Sequence, residues 1–212
     1  MKRILDLTLP LDSTMRGVRI ERAKRLETHG WNATRLSLYS HCGTHMDAPR
    51  HFLPEGAAID SQPLCACIGP ARVIDLTPVE PRESISVERL GPWAEKIRPG
   101  DRVLLRTDWS RRHGTPAYRD ELPRIDVALA RWLVERGVVL LGVEPPSVAD
   151  VNSPEELTAV HRVLLEGGVT VVEGLADLDR ITSEIVELIV LPLRIRDGDG
   201  SPVRAVAIEQ TS

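Results

Sequence analysis

Apolar and polar side chains alternate from Ile4 to Leu9, with Ile4, Asp6 and Thr8 set against Leu5, Leu7 and Leu9. That two-residue period predicts a strand, and Pro10 ends it. Residues 15–30 are polar and Arg-rich without a clear period, and read as a loop with room for an edge strand. Alternation returns over 35–40 through Leu36 and Leu38, so a strand delivers the chain into His41. Gly43 and Pro49 prevent one long helix there, which leaves a strand end followed by a tight turn or a single helical turn.

Further on, residues 71–76 form a short strand, with Pro78 and Pro81 after it. Residues 86–97 carry Ser86 as N-cap and apolar Val87, Leu90, Trp93, Ala94 and Ile97, which is helical spacing. Pro99-Gly100-Asp101 is a turn, 102–107 a strand around Val103-Leu104-Leu105, and 108–122 a polar loop. A helix over 126–136 stops at Gly137. The apolar run 138–143 reads as a strand buried on both faces. Ser153-Pro154-Glu155-Glu156 is a capping box opening a helix to about residue 166, closed by Gly167-Gly168. A strand over 169–173 follows, then two more over 185–195 and 203–208, joined by the turn-rich Asp197-Gly198-Asp199-Gly200. Strands dominate and three helices are interleaved, so the fold class is α/β. No repeat, low-complexity tract or boundary divides the chain, which reads as one domain over 1–212.

Composition narrows the function. Aromatic residues make up 3% of the chain, with one Phe, so Val, Ile, Leu and Ala must build the core. A net charge of −4, with acidic and basic residues interspersed, gives no nucleic-acid footprint. No stretch reaches the ~18 apolar residues of a membrane span, and no signal peptide is recognisable. Three cysteines, with Cys65 and Cys67 too close for an easy bridge, fit a reducing cytoplasm.

The chemistry gathers in His41-Cys42-Gly43-Thr44-His45-Met46-Asp47-Ala48-Pro49-Arg50-His51, which holds three of the six histidines. Imidazole nitrogens and a carboxylate in one Gly- and Pro-punctuated stretch suit a first-row metal. His161 lies at the edge of the inward face of its helix, where a histidine by itself is more often a satisfied core residue. Glu173 closes an otherwise buried strand, which is costly unless the carboxylate is paired or metal-bound. Helix, Gly-Gly turn and returning strand can bring these two side by side.

The spacing His41-x3-His45-x-Asp47-x3-His51, with His161 and Glu173 far downstream, resembles the cyclase superfamily of metal-dependent hydrolases. That family contains bacterial kynurenine formamidases and isatin hydrolases. Leu104-Leu105-Arg106-Thr107-Asp108-Trp109, Val172-Glu173-Gly174-Leu175 and Gly200-Ser201-Pro202-Val203-Arg204-Ala205 are similar too, so the likeness spans nearly the whole chain. The resemblance implies a swivelling β/β/α domain with a mixed central sheet, assembled as a homodimer or homotetramer with neighbouring loops near the pocket. It implies two divalent ions, Zn first and Mn as the alternative. His41, His45 and Asp47 would hold one ion, and Asp47, His161 and Glu173 the other, with Asp47 shared. His51 matches the catalytic histidine.

The implied reaction is hydrolysis of a C–N amide bond of a small molecule, as in the arylformamidase step of tryptophan catabolism. Cys42 is a small packing residue in this scheme, because no base is left over to activate it. The formamidases carry a Trp followed by Pro-Gly-Asp in the N-terminal loop; here Ser13-Thr14-Met15-Arg16-Gly17-Val18 stands there instead. Arg16 suits an anionic substrate or carboxylate product, and Trp31, Trp109 and His113 are further pocket candidates. The alternatives are a cyclic-amide or lactam hydrolase of the isatin hydrolase type and a metal-binding module without catalysis.

Overall fold

The computed structural model describes residues 1–210; the last two positions of the expected 1–212 domain, Thr211 and Ser212, lie outside the described residues. The alternating segments pair into one eight-stranded mixed sheet. Its strands are β1 (Lys2–Asp6), β4 (His45–Asp47), β5 (Ile68–Asp75), β7 (Arg102–Arg106), β9 (Leu140–Val143), β10 (Thr170–Glu173), β11 (Ile185–Pro192) and β12 (Gly200–Gln210). Two small sheets complete the set: β2 (Val18–Lys24) with β3 (Ala33–Leu38), and β6 (Ser84–Ile85) with β8 (Arg124–Ile125).

In the main sheet β5, β7, β9 and β10 run parallel, and β11, β12, β1 and β4 pair antiparallel. The three residues of β4 pair with β10 on one side and with the start of β12 on the other. That double pairing closes the sheet into a mixed barrel. Alternation then sorts side chains between two cores. Leu104, Leu140, Val172, Met46, Leu188 and Ala205 fill the barrel. Val103, Leu105, Leu141, Val143 and Val171 face outward against the helices. This is why the central strands read as unbroken apolar runs.

The helices are α1 (Leu26–His29), α2 (Leu64–Cys67), α3 (Pro116–Asp120), α4 (Val127–Glu135) and α5 (Pro154–Glu166). Both long ones are capped at their N-termini, α5 by the Ser153 box its sequence predicts. Asp126 accepts the Leu129 N–H at 2.6 Å, and Ser153 accepts the Glu156 N–H at 3.4 Å with Pro154 in the first turn. Leu129, Leu133, Val160 and Leu164 pack these helices on the sheet.

Several local expectations need correction: the polar loop expected over 108–122 holds a 3₁₀ turn at Trp109–Arg112 and α3, and residues 45–47, expected in a turn, form β4. The helix expected over 86–97 is a pair of 3₁₀ turns within Glu88–Glu95, broken at Gly91 (φ 53°). Pro92 follows directly and lacks the N–H an α-helix needs there, while the apolar spacing is kept because Leu90 and Ile97 still face the core. The segment 15–30, expected as a loop with room for an edge strand, holds that strand as β2 and also the short α1, with Ile20 opposite Leu36 in the hairpin. Both of these residues remain solvent-exposed, so no buried face imposed a clear period.

A candidate metal centre between barrel and helix

Residues 40–44 form a tight turn, β4 follows, and Pro49–His51 makes a single 3₁₀ turn. On β4 the pleat sends Met46 into the barrel and turns His45 and Asp47 the other way. His45 lies opposite Glu173 in the β4–β10 ladder, and Asp47 opposite Val171. Glu173 points out of the barrel, as Val171 does, to the side that α5 covers. His161 comes down from α5 onto the same spot. His45, Asp47, His161 and Glu173 are all buried, at 4% exposure or less.

The distances define one cluster. Asp47 Oδ1 lies 2.8 Å from His41 Nδ1 and 3.7 Å from His45 Nε2. Asp47 Oδ2 lies 3.5 Å from His161 Nε2. Glu173 Oε2 lies 3.1 Å from His45 Nε2, and Oε1 3.3 Å from His161 Nε2. His51 stacks on His41 with ring centroids 3.8 Å apart. Phe52 lies flat against His161 and edge-on to His51, both at 4.4 Å.

The second nitrogens fix the orientation of the rings. His45 Nδ1 donates to the Gly43 carbonyl at 3.0 Å, and His161 Nδ1 donates to the Leu157 carbonyl at 2.7 Å. A neutral imidazole carries one N–H, so when these rings are neutral Nε2 turns a lone pair toward the carboxylates. Lone pairs facing carboxylates call for positive charge between them. Asp47 Oδ2 is buried without a hydrogen-bond donor among the described residues, which adds to the same demand. Burial alone would lower the His45 pKa, yet Glu173 and Asp47 push it up to about 9. His41 and His161 are raised despite burial by the same kind of carboxylate contacts. Burial opposes ionisation of Glu173, but His161 and His45 hold it well below the usual carboxylate range. The positive charge these carboxylates favour on the histidines is what a divalent cation would supply with the imidazoles neutral. The donor set fits a metal: His41, His45 and Asp47 can converge on one ion, and Asp47, His161 and Glu173 on another.

The remaining sequence candidates lie elsewhere. Trp109 is buried in a separate cluster with Leu9, Tyr118, Leu122 and Ala176, its indole N–H donating to the Tyr118 carbonyl at 2.9 Å. His113 packs edge-on to Tyr118 at 5.4 Å. Trp31 is exposed beside His29. Arg16 is exposed and has no hydrogen bond or ion pair among the described residues. Its neighbour Met15 reaches the motif, since a Cβ on Gly43 would stand 3.2 Å from Met15 Sδ. Cys42 is buried, and burial pushes its thiol pKa up, which suits packing rather than attack.

Two acids escaped the sequence reading. Asp199 Oδ2 lies 3.1 Å from His41 Nε2 and 3.8 Å from His51 Nδ1; its only sequence signal was a place in a turn. Glu144 is fully buried at the end of β9, accepting from Thr107 N–H at 2.6 Å and Ser110 Oγ–H at 2.8 Å. The rule that singled out Glu173, a charge closing a buried strand, applied equally to Glu144.

A family model described as "Putative cyclase" matches residues 5–150. The kynurenine formamidase of Bacillus thuringiensis (strain Al Hakam) is 36% identical over 181 residues, 85% of this chain and 81% of the relative. Isatin hydrolase A from Labrenzia aggregata, solved with benzyl benzoate bound, superposes with a TM-score of 0.88 at 28% identity, covering 99% of this chain and 94% of that one. Isatin hydrolase A from Ralstonia solanacearum gives 0.88 at 25% identity, over 99% and 92%.

Proposed function

The chain belongs to the Cyclase family, and on that premise we propose that it is a metal-dependent amidohydrolase that cleaves a C–N amide bond of a small molecule, as its kynurenine formamidase relatives do. The observation that carries this reading is the buried meeting of Asp47 and Glu173 with the Nε2 nitrogens of His45 and His161. In it, His41, His45 and Asp47 hold one divalent ion, and Asp47, His161 and Glu173 a second, with Zn ahead of Mn. Ions bound there supply Lewis acidity and a water acidified toward neutrality.

The protein's own groups do the rest. Gly43 and Leu157 carbonyls keep the His45 and His161 rings turned inward. Phe52 and the barrel wall exclude bulk water from the rear of the cluster. His51 is three-quarters buried, and burial holds its pKa below the usual value, so it enters neutral and can take a proton from water at Nε2. The same nitrogen then returns the proton to the leaving amine. No covalent enzyme intermediate is needed.

For the substrate, N-formylkynurenine is the first candidate, by the 36% identity to a formamidase. The likeness to isatin hydrolases, with Arg16 in the N-terminal loop, supports a cyclic amide as the second. The enzyme acts as one cytoplasmic domain over 1–212 and assembles as a homodimer or homotetramer, for which the exposed Ile4, Ile185 and Leu191 on the barrel strands offer apolar surface. The test is turnover of N-formylkynurenine and of isatin by purified protein before and after chelation, with the particle mass read on the same sample against the 23.5 kDa chain. We expect one amide to be hydrolysed, activity lost to chelator and restored by Zn or Mn. Metal-bound protein inert on both, and on other formamides and lactams, contradicts the reading and favours a binding module.

A further inference from the structure

We propose that Asp199 is a positioning residue of this centre: it stands behind His41 and beside His51 and decides which ring nitrogen each presents. The inference rests on the assignment of His41 as a metal ligand and goes beyond it by adding a residue outside the ligand set.

His41 has a carboxylate at each end. Asp47 Oδ1 is 2.8 Å from Nδ1, and Asp199 Oδ2 is 3.1 Å from Nε2. A neutral ring has one N–H to give. With that proton on Nε2, donated to Asp199, the Nδ1 lone pair faces Asp47 and the ring is set to bind a cation there. His45 and His161 are turned inward by backbone carbonyls; of the three, His41 alone leans on a carboxylate. A charged partner behind an imidazole fixes its tautomer and makes it a stronger donor. The same Oδ2 lies 3.8 Å from His51 Nδ1, so a small rotation gives His51 an acceptor there and leaves its Nε2 to exchange protons.

Asp199 is not placed by chance. Its carbonyl accepts the Ala48 N–H at 3.0 Å, and the next residue, Gly200, pairs with Asp47 across the β12–β4 ladder. The His41 ring lies against Gly200, where a Cβ would come within 2.6 Å of Cε1. The backbone of the histidine motif therefore holds the Asp199 turn in register with the two rings it serves.

The experiment is calorimetric titration of Zn²⁺ into metal-stripped wild type, Asp199→Ala and Asp199→Asn, with turnover measured on the reloaded proteins. We expect two ions per chain in all three. In Asp199→Ala one of the two affinities should fall about 10–100-fold and the other should hold. Asp199→Asn, which keeps an acceptor oxygen, should recover part of that loss. kcat should fall with KM little changed, and the metal-free unfolding midpoint should stay within about 2 °C for a substitution without a core contact. Unchanged affinities and kcat in Asp199→Ala overturn the proposal. So does an equal loss of both affinities with a lowered midpoint, which marks a merely structural residue. A third ion bound by wild type and lost with Asp199 makes it a ligand and also overturns it. Wild type that takes up no zinc removes the ligand assignment itself, and the positioning role with it.

Discussion

His51 and Asp47 sit four residues apart in one motif, yet the structure gives them opposite surroundings. Asp47 is buried among three imidazoles, while the His51 side chain keeps a quarter of its surface exposed and stacks on His41. The reading of His51 as proton carrier therefore makes a separable prediction. His51→Ala should retain both metals, measured by elemental analysis, and lose about 10²–10⁴-fold in kcat; near-normal turnover would sink the role. The histidines proposed as ligands predict a pH dependence of the opposite kind. In the metal-free protein the carboxylates raise the pKa values of all three, to about 9 for His45, so His45 holds a proton across the neutral range. An ion must displace that proton, and zinc affinity should climb as the pH rises from 6 toward 9. A flat profile in a zinc titration would contradict that charge balance. These side chains were legible in the sequence because metal chemistry needs few residue types at short spacing. Asp199 was not, since a lone acid in a turn has no such signature. Trp109, one of the pocket candidates beside the polar loop, has its ring packed against Leu9 and Tyr118.

Among the elements, β4 has a part out of proportion to its three residues. The sequence predicts a strand end and a turn here, not a strand over 45–47, and even a period of two says only which side chains share a face and nothing about which strand lies alongside. Pairing β4 with both β10 and β12 brings together residues 45–47, 171–173 and 200–202, separations that local pattern cannot report. The capped α5, by contrast, was legible from Ser153 to its Gly-Gly end, and with it the placement of His161. The 86–97 segment failed for a stated reason, because apolar spacing was read past Gly91-Pro92. The β12 end of the ladder can be tested directly. Gly200→Ala puts a methyl group 2.6 Å from His41 Cε1 and 2.9 Å from the Met46 carbonyl. It should cost about 1–3 kcal/mol by overpacking and displace His41, so that zinc affinity falls as well. Wild-type stability and affinity in that variant would mean that the His41 ring is not held where it is described.

The barrel, the two cores and the helix layer together do one thing for the chemistry: they carry two carboxylates and two histidines out of water and leave His41, His51 and Asp199 at the rim. Holding Asp47 and Glu173 buried in this way is favourable only with compensating positive charge, which a bound cation would supply. The α/β class and the interleaved order of strands and helices followed from periodicity, whereas barrel closure needed the long-range pairings of β4 and β12. The account as a whole turns on Asp47 being shared between two ions. The most direct measurement is metal content per chain in wild type and Asp47→Ala, purified in parallel and shown to be folded by circular dichroism. The prediction is about two divalent ions in wild type, in line with a two-metal hydrolase site, and none retained in the variant. Full metal content without Asp47, or wild type that binds no divalent ion, would contradict it.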